Sequence, residues 1–240
     1  MIRVKDLSIE LSGKPILHNI DFSLEDGENL IILGRSGSGK TVLSKTLMGF
    51  YPPSSGSVMI DDWDVYASMD SKAAAPKKQF AIVFQNSALL DSLSVFQNVA
   101  LPLYTRREKD SAKLRQKVEN ALSEVGLLDA MEKYPSELSG GMRKRVGIAR
   151  ALVYGPDYIV FDEPISGLDP ITADEVLFYI NHIISGKTAT AITITHEVRN
   201  LERVGDVVLF LESGKALFYG ALEELFAQSH PLIQKFLGSK

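Results

Sequence analysis

Apolar residues recur at near-alternate positions from the start of the chain: Ile2, Val4, Leu7, Ile9 and Leu11, with one slip between Val4 and Leu7. That spacing predicts a half-buried strand. Ser12-Gly13-Lys14-Pro15 is turn chemistry, and a second apolar stretch follows through Ile16, Leu17, Ile20, Phe22 and Leu24. Two such stretches across a tight turn predict an antiparallel hairpin. The pattern then changes to short continuous apolar runs at 29–33, 80–84, 158–161 and 207–211, with a further β stretch from Ala189 to Thr195. Runs of that length fit strands covered on both faces. A helix is predicted over 41–50 and a further strand over 57–60. Ser213-Gly214 turns the last run back into 216–219, and 231–237 reads as a short amphipathic helix.

Between residue 86 and about residue 154 the β pattern disappears. Leu114, Val118, Ala121, Leu122 and Val125 fall on one face of a helix, and Gly126 stands where a C-terminal glycine belongs. A second helix is predicted from Ser139 to Val153, with Ser139 as its N-cap. Strands alternating with helices argue for an α/β fold built on a largely parallel sheet. The predicted organisation is a single domain: an α/β core from 1–85 and 155–220, a helical subdomain inserted at 86–154, and a helical tail at 221–240.

Composition narrows the function classes. The 240 residues carry 26 Lys+Arg against 30 Asp+Glu, a net charge of −4. That excludes a binder of nucleic acid that works by bulk positive charge. The strings Thr105-Arg106-Arg107-Glu108-Lys109 and Arg143-Lys144-Arg145 therefore read as solvated faces. There is no cysteine, hence no disulfide framework, thiolate metal site or Cys nucleophile. No apolar run approaches the roughly 18 residues that cross a bilayer, and residues 1–5 lack a signal-peptide layout. The expected location is the cytoplasm, with any membrane link made through a partner.

Three strings carry chemistry. Gly34-Arg35-Ser36-Gly37-Ser38-Gly39-Lys40-Thr41 is G-x-x-x-x-G-K-T between an apolar strand and a helix. Glycines let a backbone wrap a phosphate with N–H groups inward, and the helix start adds its dipole. Lys40 can reach the β and γ phosphates and the Thr41 hydroxyl can bind Mg²⁺. The plainer alternative is a glycine-rich turn with a solvated lysine, which the strand–loop–helix setting disfavours. The run 158–161 ends in Asp162-Glu163-Pro164. Asp162 at a strand's carboxyl end can hold Mg²⁺, and Glu163, pointing the other way, can accept a proton from an attacking water. Leu138-Ser139-Gly140-Gly141-Met142 opens a helix with two glycines beside the cap. It offers a second anion-suited helix start, although one triphosphate does not need both from one chain.

With these strings in place the sequence resembles the ATP-binding-cassette ATPases over essentially its whole length. Gly34 to Thr41 matches Walker A, Gln85 the Q-loop glutamine, and Leu138 to Met142 the signature motif. Ile159 to Asp162 matches Walker B with Glu163 as catalytic glutamate, Ser166-Gly167-Leu168-Asp169 the D-loop, and His196 the switch histidine. The resemblance implies a P-loop NTPase fold, a RecA-like parallel core with an N-terminal antiparallel β subdomain. It implies ATP and Mg²⁺ as ligands, and a head-to-tail homodimer with ATP between Walker A of one copy and the signature of the other. On that basis Gly34 to Thr41, Val42 and Asp169 contact nucleotide. Lys40 neutralises phosphate charge, and Thr41, Gln85 and Asp162 arrange Mg²⁺. Glu163 activates water, His196 contacts the γ-phosphate, and Ser139, Gly140 and Gly141 act in trans. Two departures stand out. Leu11 occupies the position where the family often stacks adenine on an aromatic ring, and Met142 replaces the commoner glutamine.

One cassette without a membrane span implies a separate membrane permease, docking near 86–104, with this subunit peripheral on the cytoplasmic face of the inner membrane. Leu89, Leu90, Leu93, Val95, Phe96 and Val99 are candidates for an exposed docking groove there. The strings at 84–100, 135–142 and 169–172 resemble phospholipid-transport cassettes of the Mla type, which makes phospholipid the expected cargo. A methionine-type amino-acid importer is the alternative, disfavoured by Met142 and by the absence of a C-terminal extension. A soluble cassette acting on ribosomes or DNA is a further reading, and no nucleic acid partner is expected. A nucleotide switch without turnover is opposed by Glu163.

Overall fold

The computed structural model describes residues 1–61, 63–66, 79–106, 110–186 and 189–238. The chain runs through β1 (Ile2–Leu11), β2 (Lys14–Leu24), β3 (Leu30–Gly34), α1 (Lys40–Leu47), β4 (Ser55–Ile60) and β5 (Trp63–Asp64). It continues through β6 (Phe80–Val83), α2 (Val95–Thr105), α3 (Ser111–Glu124), α4 (Gly140–Leu152), β7 (Tyr158–Asp162) and α5 (Pro170–Ser185). It closes with β8 (Thr190–Thr195), β9 (Val207–Glu212), β10 (Lys215–Ala221), α6 (Leu222–Phe226) and α7 (Pro231–Leu237). These elements fall into two compact units, Met1–Gln79 with Thr190–Lys240, and Phe80–Ala189.

The first unit contains the predicted hairpin. β1 pairs antiparallel with β2, and Ser12 and Gly13 turn between them with φ of 51° and 75°. Two successive positive φ values suit the twist of a tight hairpin. The slip in the apolar spacing is a register shift between Val4 and Leu7, where Asp6 takes φ 48°. The extra residue returns Leu7 to the buried side, so Ile2, Val4, Leu7 and Ile9 share one core. With β4 and β5 the hairpin forms an antiparallel sheet in the order β2-β1-β4-β5.

The same unit holds a mixed sheet in the order β10-β9-β3-β8. All five residues of β3 are buried, as a continuous apolar run requires of a strand covered on both faces, and all six of β8 are buried although Thr190, Thr193 and Thr195 interrupt its apolar residues. β3 is parallel to β8 and β9, and β10 returns antiparallel to β9 after Ser213-Gly214. The helix after β3 ends at Leu47, three residues short of the expected Phe50. Gly49 at φ 84° explains the stop: its N–H donates to Thr46 O and that of Phe50 to Lys45 O, closing the last turn.

In the second unit β6 and β7 run parallel and the helices pack beside them. α3 buries Leu114, Val118, Ala121 and Leu122, the predicted face, and Gly126 follows at φ 63°. α4 begins behind Ser139 as predicted. The sequence reading did not single out α5, sixteen residues that bury Val176, Leu177, Ile180 and Ile183. Its signal was present: Asp169 caps it and Pro170 is its first residue, the pairing that starts helices.

Candidate active site

The phosphate loop lies in the first unit between β3 and α1. Gly34, Gly37 and Gly39 have φ of 152°, 81° and 104°, where L side chains are strained. A Cβ on Gly34 would collide with the Leu211 carbonyl of neighbouring β9, and one on Gly39 would stand 2.6 Å from Leu17 Cδ2. Gly34 and Gly39 are thus fixed by both conformation and space, and Gly37 by conformation. Gly39 leaves α1 without a side-chain cap, so its first N–H groups remain available to an anion. Lys40 is buried at 7% exposure and its Nζ donates to Gly34 O at 2.7 Å and Arg35 O at 3.0 Å. The lysine is folded over the loop it serves. Ser38 Oγ is buried without a hydrogen-bond partner among the described residues. A buried orphan hydroxyl costs about 1–3 kcal/mol, which an incoming phosphate oxygen would offset. Arg35, Ser36 and Thr41 are exposed and Val42 half-buried. Leu11, at the expected adenine position, is half-buried at the end of β1, and His196 is exposed just after β8.

The second unit carries the remaining predicted residues. Tyr158 to Phe161 are buried in β7, and Asp162 and Glu163 at its carboxyl end are half-buried. Glu163 takes φ 49°, the left-handed region, which costs a non-glycine residue about 1–3 kcal/mol and persists only when its surroundings fix it. Its carbonyl accepts from the Ser166 N–H at 3.2 Å and from Lys144 Nζ at 3.3 Å. Gln85 is exposed after β6, its Nε2 3.2 Å from Ser166 Oγ. The structure therefore brings the Q-loop, the acidic pair and the D-loop together through hydrogen bonds.

Ser139 Oγ accepts from the Met142 N–H at 3.2 Å and caps α4 as expected. Gly141 has a packing role the sequence did not reveal: a Cβ there would strike Thr172 Cγ2 of α5. Gly140 is nearly as tight, with Leu168 3.3 Å from its Cβ position. Asp169 is exposed and serves as the N-cap of α5, accepting from the N–H groups of Ile171 and Thr172 and from Thr172 Oγ1 at 2.6 Å. The Thr172 hydroxyl and these N–H groups hold its carboxyl below the usual range.

The string Arg143-Lys144-Arg145 is not a solvated face. Arg143 is exposed, but Lys144 is 6% exposed, and Arg145 stacks 5.0 Å from the Tyr179 ring while donating to Val125 O. The helical period of α4 turns the second residue of the string inward. In the other basic string Arg106 lies 4.0 Å over the Tyr154 ring, and residues 107–109 fall outside the described residues. The proposed groove divides in the same way. Val95 and Val99 are fully buried in α2, Leu89, Leu93 and Phe96 are half-buried, and Leu90 is exposed. Among the described residues no three His, Cys, Asp or Glu gather into a metal site. No described helix is long and apolar enough to cross a membrane.

Comparison with known proteins agrees with this geometry. A family model described as ABC transporter matches residues 17–166. The "Methionine import ATP-binding protein MetN" of Carboxydothermus hydrogenoformans is 34% identical over 247 residues, covering all of this chain and 72% of that protein. The "Probable ribonucleotide transport ATP-binding protein mkl" of Mycobacterium leprae is 34% identical over 239 residues, covering all of this chain and 69% of that protein. Among solved structures, cbiO1 of Clostridium perfringens, part of the ABC transporter complex cbiONQ, superposes with a TM-score of 0.83 at 28% identity. The match covers 98% of this chain and 93% of cbiO1. The ATP-binding cassette MJ0796, a dimer in a post-hydrolysis state bound to ADP and Pi, superposes with a TM-score of 0.77 at 25% identity. That match covers 92% of this chain and 99% of MJ0796. The chain belongs to the ABC transporter family, as an ATP-hydrolysing subunit.

Proposed function

We propose that two copies of this chain close head to tail around two Mg-ATP, and that their closure drives a separate membrane permease. The observation that carries this reading is the pair of helix starts, α1 behind Gly39 and α4 behind Ser139. Each nucleotide would lie between Gly34 to Thr41, with Val42, of one copy and Ser139 to Gly141 of the other. The dimeric state of the ADP-bound relative supports it. Lys40 and the loop N–H groups bind the phosphates, and Leu11 gives adenine an apolar contact. Mg²⁺ would be held by Thr41, Gln85 and Asp162 and would supply charge neutralisation on the phosphates. Glu163 accepts the proton of the attacking water, and His196 orients the γ-phosphate. The chemistry is in-line attack in which positioning and charge supply most of the rate.

The permease docks near 86–104, where Leu90 is exposed, and holds the subunit at the cytoplasmic face of the membrane. For the cargo, the methionine importer among the relatives favours an amino acid of that type. Phospholipid is the second reading and is favoured by the strings at 84–100, 135–142 and 169–172.

Glu163→Gln is expected to bind ATP, accumulate a nucleotide-bound dimer and hydrolyse at least about a hundredfold more slowly. Wild-type turnover in that variant refutes the assigned base. In mixed dimers, Ser139→Arg on one copy is expected to disable the nucleotide site built on the other copy's phosphate loop. Damage confined to the mutated copy's own loop removes the trans assignment. For the cargo, the native complex in lipid nanodiscs is titrated with L-methionine, and its bound lipids are identified by mass spectrometry. Methionine-dependent ATPase activity supports the importer, and a stoichiometric bound phospholipid without it supports the second reading.

A further inference from the structure

Lys144 stands one turn into α4, past the Ser139-Gly140-Gly141 start, and is among the few buried charged residues of the described chain. A lysine is rarely buried unless its ammonium is engaged. Its Nζ donates to Gln85 O at 2.5 Å and to Glu163 O at 3.3 Å. The Glu163 carbonyl also accepts from Ser166 N–H at 3.2 Å, and Ser166 Oγ accepts from Gln85 Nε2 at 3.2 Å. The four contacts form a closed ring: Lys144, Gln85, Ser166, Glu163 and back to Lys144. Every member lies in the second unit.

The ring encloses two residues whose backbones need support. Glu163 is held at φ 49°. Gln85 leads into Ser87 and Ala88, at φ 57° and 45°, whose carbonyls accept from the Arg150 guanidinium two turns further along the same helix. Gly147 lets α4 pass close to that loop, since a Cβ there would already touch Ser87 at 3.4 Å. One face of α4 thus grips the Q-loop at three successive turns. From that face Lys144 reaches the glutamate. Burial pushes its ammonium pKa below the ordinary lysine value, while the carboxylates of Glu163 and Asp162 pull it the other way.

We infer that Lys144 is a positioning residue for hydrolysis: by binding the Gln85 and Glu163 carbonyls together, it holds the Glu163 backbone left-handed and makes the carboxylate's aim depend on the Q-loop. The claim rests on the ATPase reading above and adds a residue that touches neither nucleotide nor water. Losing the link frees the Glu163 peptide to relax, so the carboxylate loses its alignment with the attacking water. Lys40 and the loop N–H groups that bind the phosphates lie outside the ring, and Lys144 bonds the Gln85 carbonyl rather than the side chain that would hold Mg²⁺. The expected signature is therefore a loss in kcat with little change in KM.

The test compares Lys144→Met, Lys144→Arg and Glu163→Gln in the complete chain, reading steady-state ATPase, ATP affinity by a fluorescent nucleotide, and melting temperature. Lys144→Met is expected to lower kcat about tenfold or more with KM and ATP affinity within about twofold. Lys144→Arg, which keeps a cation with several donors, is expected to recover kcat to within about threefold. Should Lys144→Met not fold, Lys144→Gln replaces it, its amide reaching one carbonyl, and is expected to lose at least about threefold in kcat at unchanged KM. Wild-type kcat in the Met variant, or in the Gln variant where it stands in, overturns the inference. So does a folded Arg variant as inactive as Met, or a loss confined to KM. Failure of the ATPase reading itself shows elsewhere, as a Glu163→Gln variant that still turns over.

Discussion

Gly34, Gly37 and Gly39 hold φ of 152°, 81° and 104° with no Cβ to strain, whereas Ser87, Ala88 and Glu163 hold 57°, 45° and 49° with side chains in place. The phosphate loop obtains its unusual backbone from residue type. The Q-loop and the acidic strand end obtain theirs from neighbours: Arg150 on the Ser87 and Ala88 carbonyls, Lys144 and the Ser166 N–H on that of Glu163. A glycine loop adopts such a shape without strain. A clamped loop keeps its shape only while the clamp holds, and that suits segments whose position must respond to a partner.

The comparison can be broken by swapping the two strategies. Gly34→Ala has the largest expected effect. It adds a Cβ at φ 152° against the Leu211 carbonyl and should cost about 3 kcal/mol or more, with ATP binding lost. Denaturant unfolding and nucleotide titration measure both, and unchanged binding would show that the loop tolerates a side chain. Arg150→Met should come next. Two carbonyls lose a charged donor at an expected cost of about 2 kcal/mol, read from the shift in denaturation midpoint, with faster amide exchange confined to residues near 85–90.

Ala88→Gly tests the converse. Relief of left-handed strain and the added freedom of the unfolded chain nearly cancel, so stability should change by less than about 0.5 kcal/mol. A loss above about 1 kcal/mol would mean that the Ala88 side chain contributes more than the comparison allows. The smallest effect belongs to Asp169. Its folded pKa is depressed, so its capping contribution is full above the ordinary carboxylate pKa and is lost as pH falls through the lower folded value. The melting-temperature gap between wild type and Asp169→Asn should be present at neutral pH and close in acid. A gap independent of pH would show that charge is not what the cap uses.

The glycine strategy was legible and the clamp was not. Each member of Gly34 to Thr41, and the apolar run before it, carries its meaning locally, because a loop of glycines between a strand and a helix has few other uses. Buried alternation in β1 and continuous burial in β3 followed from residue order for the same reason, whereas the burial of the threonines of β8 did not. Lys144 read as part of a solvated basic string because its neighbours Arg143 and Arg145 share its charge. Only the helical phase of α4 and the position of the Gln85 and Glu163 carbonyls turned it inward. Gly141 was legible as a phosphate-approach residue, but not as the residue that admits Thr172. The helix α5 is absent from the predicted elements although its Asp169 cap and first-turn Pro170 are written in the sequence.

Residue order alone determined the strands, the phosphate loop, the acidic pair and the family, because each is written in neighbours a few positions apart. Tertiary structure decided which polar groups meet across 19 and 59 positions of chain, as Lys144 meets Glu163 and Gln85. It also decided which apolar residues of 89–99 stay at the surface. The physical reason is range. Backbone preference and side-chain periodicity act over a turn or a strand, whereas desolvation and hydrogen bonding between distant segments exist only once the chain has packed.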